Sequence, residues 1–127
     1  MKERILVVAA HPDDEILGCG GAMANWVKQG HEVHIAILGE GVTSRYEKRE
    51  DASPAELEAL KTCSRQAVAI VGVEQVTWHE LPDNRFDSVP MLDVVKRVES
   101  IVDGIEPTRV YTQHGGDMNI DHAVTFR

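Results

Sequence analysis

Cysteine, aromatic residues and long apolar runs are all scarce in this sequence. Its two cysteines, Cys19 and Cys63, are too few and too far apart for a disulfide framework or a cysteine-ligated zinc site. No apolar stretch approaches the roughly 20 residues that cross a bilayer. The apolar run near the N-terminus is also too short for the core of a signal peptide. We therefore expect a cytoplasmic protein without a membrane span.

Basic residues are also few. The sequence has 13 lysines and arginines and 21 acidic residues, which give a formal charge of −8. This balance makes a nucleic-acid backbone an unfavourable partner. The 43% hydrophobic and 27% charged content is ordinary for a globular protein. A chain of 127 residues buries roughly two-thirds of its unfolded surface. We expect one domain spanning residues 1–127.

Strand and helix patterns alternate along the chain. Residues 5–10 form a continuous apolar run, which is typical of a strand buried on both faces of a parallel sheet. Ser53, Pro54 and Glu56 predict a helix start with a capping box. Strands are predicted at 5–10, 32–38, 75–78 and 108–112, and helices at 15–29, 54–71, 89–104 and from 123 onward. This order predicts an α/β fold, a Rossmann-like doubly wound and mainly parallel sheet with helices on both faces.

Ligands of such sheets bind outside the carboxyl ends of the strands. The loop after the first predicted strand carries His11, Pro12, Asp13, Asp14 and Glu15. Histidine and aspartate are standard zinc ligands, and a catalytic zinc keeps three protein ligands and one open position. Acidic residues are also favoured in a first helical turn by the helix dipole, so this segment alone fits a plain helix start as well.

A second polar segment follows the fourth predicted strand. It contains two histidines, two aspartates and an asparagine, which are His114, Asp117, Asn119, Asp121 and His122. A ligating histidine usually has its other ring nitrogen held by a carboxylate or a carbonyl. The two segments together therefore predict a metal site with supporting groups, at the carboxyl edge of the sheet.

The two segments resemble the motifs of the LmbE/PIG-L superfamily of zinc-dependent N-acetyl-sugar deacetylases. The matching stretches are 10–15 and Asp117-x-Asn119-x-Asp121-His122, and residues 41–45 and 81–87 are also similar to the family. The resemblance implies one zinc ion held by His11, Asp14 and His122. It further implies that Asp13 is the general base that activates the attacking water.

Other roles follow from the same resemblance. Some relatives carry a histidine suspected as general acid where this chain has Asn119. His114 and Asp13 are then the candidates for the acid. Asp121 is expected to orient His122 or a neighbouring group. Arg45 and Asn119 are expected to contact the substrate, a small N-acetylglucosamine-type sugar or glycoconjugate.

Alternatives from other classes stay open. The chain could be a non-catalytic Rossmann-like module that binds a sugar, a nucleotide or a metal, or a domain that keeps a metal for folding alone. Members of the resembled family are longer than 127 residues, so the C-terminal part of the family fold is expected to be missing. That loss could leave the site inactive. An uncovered sheet edge favours association, so a homo-oligomer is expected as well.

Overall fold

The computed structural model covers residues 1–127 and alternates strands with helices from end to end. The strands are β1 (Arg4–Ala9), β2 (Glu32–Gly39), β3 (Gln75–Leu81) and β4 (Arg109–Tyr111). The α-helices are α1 (Asp14–Lys28), α2 (Pro54–Ile70), α3 (Met91–Ile105) and α4 (Ile120–Phe126). No helix is both long enough and apolar enough to cross a membrane.

The four strands form one parallel sheet in the order β3-β2-β1-β4. The central strand β1 pairs with β2 and β4, so that Ile5 lies beside both Val33 and Arg109. The chain moves outward from β1 to β3 and then returns to the opposite side of β1. The strand order therefore reverses between β1 and β4, and this switch point is where doubly wound sheets bind ligands. The predicted fold class is confirmed.

Helices cover both faces of the sheet because side chains along a strand alternate between the faces. Val7 of β1 packs in a core with Met23 of α1 and Val68 of α2. Leu6 and Val8 pack in a second core on the other face, which contains residues of α3 and α4. A central strand that supplies both cores must be apolar wherever it is buried, which explains the continuous apolar run from Ile5 to Ala9 of β1.

Two helix starts show how local sequence defines the elements. The predicted cap of α2 is present, because the backbone N–H of Glu56 donates to Ser53 Oγ at 3.1 Å. The Glu56 carboxylate accepts from the Tyr46 hydroxyl at 2.7 Å instead of completing a capping box. Helix α4 begins at Ile120, three residues before the predicted start, because the Asn119 side chain accepts from the first backbone N–H groups of the helix.

Candidate metal centre

The two polar segments predicted from the sequence meet at the switch point of the sheet. His11 follows β1, Asp14 is the first residue of α1, and His122 lies in the first turn of α4, after β4. Parallel pairing of β1 with β4 brings the carboxyl ends of these strands side by side. The fold therefore brings His122 to His11 and Asp14, although more than 100 positions separate it from them in the chain.

Three possible ligand atoms form a small triangle. His11 Nδ1 lies 3.3 Å from His122 Nε2 and 3.3 Å from Asp14 Oδ2. His122 Nε2 lies 3.0 Å from the same Asp14 oxygen. Ligand atoms at about 2.0–2.1 Å from a tetrahedral zinc ion are about 3.3 Å apart, so these separations match the edges of such a site. His11, Asp14 and His122 are thus grouped as one candidate metal-binding set.

The far nitrogen of each histidine ring is held by a carboxylate. His11 Nε2 lies 2.7 Å from Asp121 Oδ2, and His122 Nδ1 lies 2.8 Å from Asp117 Oδ2. A ring nitrogen that donates to a carboxylate carries the proton, which leaves a lone pair on the other nitrogen. Both lone pairs then face the Asp14 oxygen. Three acceptors that converge in this way repel one another unless positive charge lies among them, so the residues present fit a divalent metal.

The electrostatics of the group agree with this need for positive charge. Burial lowers the pKa of His11, but hydrogen bonds and charge from Asp121 and Asp14 outweigh it and raise the pKa to about 10. Burial raises the pKa of Asp14, but the hydrogen bond from His11 and the charge of His122 bring it below its usual value. In the metal-free chain, a proton on His11 therefore supplies the charge that a metal would otherwise supply.

A second group of possible ligands comprises His11, Asp83 and Asp121. Three of its four carboxylate oxygens already accept hydrogen bonds. Asp121 is fully buried and accepts from the backbone N–H groups of Asn84, at 2.6 Å, and Phe86, at 2.9 Å. Asp83 Oδ2 accepts both the N–H and the hydroxyl of Ser44. His11 Nε2 also lies 2.7 Å from Asp121 Oδ2, at hydrogen-bond distance. This group is therefore the weaker candidate, because a metal there would have to compete with these hydrogen bonds.

Asp13 stands next to the triangle without belonging to it. Its side chain is exposed and makes no capping hydrogen bond to α1. Partial burial raises the pKa of its carboxyl, the charge of Asp14 raises it further, and His11 and His122 oppose the shift. A free carboxylate beside the triangle is suited to exchanging protons with a bound water.

The remaining predicted site residues lie around this centre. Arg45 is exposed on the loop after β2, and His114 is exposed with its ring beside Gly116. Asn119 caps α4 through its oxygen and donates its amide to Asn84 Oδ1 at 3.0 Å. Asp121 holds the ring of His11, whereas the ring of His122 is held by Asp117. The acid and substrate roles of these residues stay predictions.

A chain of hydrogen bonds that the sequence did not reveal joins the loops around the site. Ser44, after β2, donates to Asp83, after β3, and accepts from the Asn84 side chain. Asn84 in turn accepts from Asn119, which follows β4. The similarity of residues 81–87 to the deacetylase family was the only signal in the sequence that pointed to this segment.

A model of the family described as PIG-L, GlcNAc-PI de-N-acetylase, matches residues 6–127. Among curated proteins, the chain is 26% identical over 137 residues to the uncharacterized deacetylase YaiS of Escherichia coli, covering 99% of this chain and 65% of that protein. It is also 26% identical over 147 residues to a 1D-myo-inositol 2-acetamido-2-deoxy-alpha-D-glucopyranoside deacetylase of Mycobacterium sp., covering 98% of this chain and 48% of that protein. The chain thus spans between about half and two-thirds of the length of these relatives.

A solved structure with a different activity shares the fold. The chain aligns with GalB, the 4-carboxy-2-hydroxymuconate hydratase of Pseudomonas putida, with a TM-score of 0.76 and 26% identity. The alignment covers 99% of this chain and 53% of GalB. This fold therefore carries both deacetylases and a hydratase.

Proposed function

The chain belongs to the PIG-L family, and from that premise we propose that it removes the N-acetyl group from an N-acetylglucosamine-type sugar or glycoconjugate with the help of one zinc ion. The observation that carries this proposal is that His11 Nδ1, His122 Nε2 and one Asp14 carboxylate oxygen lie within 3.0–3.3 Å of one another. The names of two curated relatives, both deacetylases, support the reaction type.

The metal would be held by His11, Asp14 and His122. When bound, a zinc ion lowers the pKa of water and polarises an amide carbonyl. A purely structural zinc site is closed by four protein ligands, whereas only three converge here. An open position favours catalysis over a site that serves folding alone.

The chain's own groups would move the protons of the reaction. Asp13 accepts a proton from the attacking water while the oxygen of that water bonds to the amide carbon. The carbon–nitrogen bond then breaks, the acetyl group leaves as acetate, and the sugar nitrogen takes up a proton. Asp13 can return the proton that it accepted, and His114 is the other candidate donor. Arg45 and Asn119 are the proposed substrate contacts. The predicted homo-oligomer and cytoplasmic location stay predictions.

A hydratase is the second candidate, because GalB is as similar in sequence as the two relatives. Both reactions consume water, and they differ in the group to which the water is added. Deacetylation attacks an amide carbon, whereas the GalB reaction, by its name, hydrates a hydroxymuconate. Measuring both reactions on one preparation separates the candidates.

The test combines metal content with activity. Bound metal is measured by mass spectrometry, and free amine is measured after incubation with N-acetylglucosamine and with the inositol glycoside that the mycobacterial relative is named for. We expect Asp13→Asn to keep its zinc but lose about 10²–10⁴-fold in activity, as for removal of a general base. We expect His122→Ala to lose both.

The matched control is Asp103→Asn, which removes the same charge at an exposed position of α3. It should retain both the zinc and the activity. Normal deacetylation by Asp13→Asn would contradict the proposed base. Hydration of 4-carboxy-2-hydroxymuconate without any release of amine would replace the proposed reaction with that of the second candidate.

A further inference from the structure

Asp13 has an unusual backbone conformation. Its φ of 109° and ψ of −27° lie at positive φ, which residues with a side chain rarely adopt. Such conformations persist only where the surrounding structure enforces them, and they concentrate at functional sites. Some group must therefore hold the Asp13 peptide in place.

Glu15 is the group that contacts this peptide. Its side chain is only 1% exposed, although no basic residue is bonded to it. One carboxylate oxygen accepts the backbone N–H of Asp13 at 3.0 Å. The other oxygen accepts the hydroxyl of Ser64 at 3.2 Å, and Ser64 is itself buried on α2. A buried carboxylate is costly unless hydrogen bonds compensate, and these two bonds offset part of that cost.

These contacts reverse the usual arrangement at a helix start. An aspartate at the N-cap normally turns its own carboxylate onto the first N–H groups of the helix. Asp13 occupies that position before α1 but makes no such bond. Glu15 binds the Asp13 N–H instead, and the Asp13 carboxylate is left free beside Asp14 and the two histidines, whose charges act on it.

We propose that Glu15 is a positioning residue, which fixes the strained Asp13 peptide against α2 so that the Asp13 carboxylate faces the candidate metal centre. This inference rests on the proposed function, in which Asp13 serves as the base. Ser64 holds the second oxygen of Glu15 and thereby restricts the rotation of its carboxylate. Positioning of this kind affects the chemical step, since a displacement of about 1 Å can lower a rate about 100-fold.

The experiment compares Glu15→Leu, Glu15→Gln and Ser64→Ala. Leucine removes both hydrogen bonds, and we expect kcat to fall about 100-fold with KM within a few-fold and with one zinc retained per chain. Glutamine can accept from the Asp13 N–H and donate to Ser64 Oγ, so it should stay within about 10-fold of wild type.

Val68→Ala is the control for a purely structural effect. Val68 is buried one turn after Ser64 on α2 and packs in the core that α2 forms with α1. As an apolar side chain it forms no hydrogen bond to Glu15. This variant should lower Tm while leaving kcat and KM unchanged. If Glu15→Leu does not fold, Ser64→Ala provides the test, and it should lower kcat several-fold with its zinc retained.

An independent measurement separates this inference from the proposed function. The amide proton of Asp13, observed by NMR, should move upfield in Glu15→Leu and in Ser64→Ala, because its carboxylate acceptor is lost or loosened. If the wild-type chain has no deacetylase activity, the proposed function is wrong. The Asp13 amide signal would still show whether Glu15 holds the Asp13 peptide. An unchanged Asp13 amide together with an unchanged kcat in the folded variants would overturn the inference.

Discussion

The Asp121 carboxylate offers a direct test of how the candidate metal centre is built. It is fully buried and accepts three hydrogen bonds, from the backbone N–H groups of Asn84 and Phe86 and from the ring of His11. The substitution Asp121→Asn keeps the shape of the side chain but replaces one accepting oxygen by a donating NH₂ group. Whichever way the amide turns, at least one N–H that faced an oxygen now faces another donor.

The cost of Asp121→Asn follows from these bonds. The less damaging orientation places the amide NH₂ toward Phe86, and one buried unpaired N–H costs about 1–3 kcal/mol. The bonds from Asn84 and His11 also change from charged to neutral acceptors, which removes roughly 1 kcal/mol from each. The free energy of unfolding should therefore fall by about 3–5 kcal/mol, a large share of the stability of a typical domain.

Urea unfolding in the presence of a chelator measures this loss without a contribution from bound metal. With a slope of about 1.5–2 kcal/mol per molar urea, the midpoint should fall by about 1.5–3 M. A competitive titration should also show about 10–100-fold weaker metal binding, because His11 loses the group that orients its ring. Asp103→Asn, at an exposed position, should change the free energy of unfolding by less than about 0.5 kcal/mol. If the midpoint for Asp121→Asn also stays close to wild type, the buried hydrogen-bond set described above is refuted.

Three further predictions concern single contacts. Asp117→Asn should weaken metal binding about 10–100-fold in a chelator competition, because Asp117 holds the ring of His122. The stability of the metal-free chain should stay nearly unchanged, because Asp117 is exposed. A loss of metal-free stability as large as the loss of metal-binding free energy would contradict this prediction. Ser53→Ala should lower the free energy of unfolding by about 1 kcal/mol in thermal melts, and Ser53→Gly should lower it by only a few tenths of a kcal/mol. A Ser53→Ala variant as stable as wild type would show that the hydrogen bond from the Glu56 N–H to Ser53 does not stabilise α2. Burial lowers the pKa of His79 below its ordinary value of 6.5, and the charge of a nearby arginine lowers it further. As the pH falls, His79 therefore takes up a proton in the unfolded chain before it does so in the folded chain. The free energy of unfolding should decrease as the pH falls below about 6.5. His79→Gln should reduce the decline in urea midpoint between about pH 7.5 and 5.5, and an identical decline in both proteins would count against it.

Local sequence was sufficient for the type and order of the main elements. The apolar run of β1 and the Ser53–Pro54 start of α2 depend on neighbouring residues alone, and both were predicted correctly. The start of α4 was predicted too late, at Ala123, although Asn119 is a strong capping residue. The family was also predicted correctly from the two polar motifs, because the match over residues 6–127 confirms it.

The order of the strands was not readable from local patterns. Each strand–helix–strand unit is right-handed, but the chain can add its next strand on either side of the sheet. The reversal between β1 and β4 depends on α3 packing on the face opposite to α1 and α2, which is a property of the assembled cores. That reversal brings His11 and His122 together.

The sequence by itself determined which residue types could bind a metal and which loops carry them. The tertiary structure alone decided how the supporting groups are paired. Asp121 is adjacent to His122 in the chain but contacts His11, because successive helical side chains diverge and Asp121 points into the core. His122 is held by Asp117 from the preceding loop, and Asp13 by Glu15 from the following turn. Such pairings depend on side-chain directions that arise only when the helices pack against the sheet.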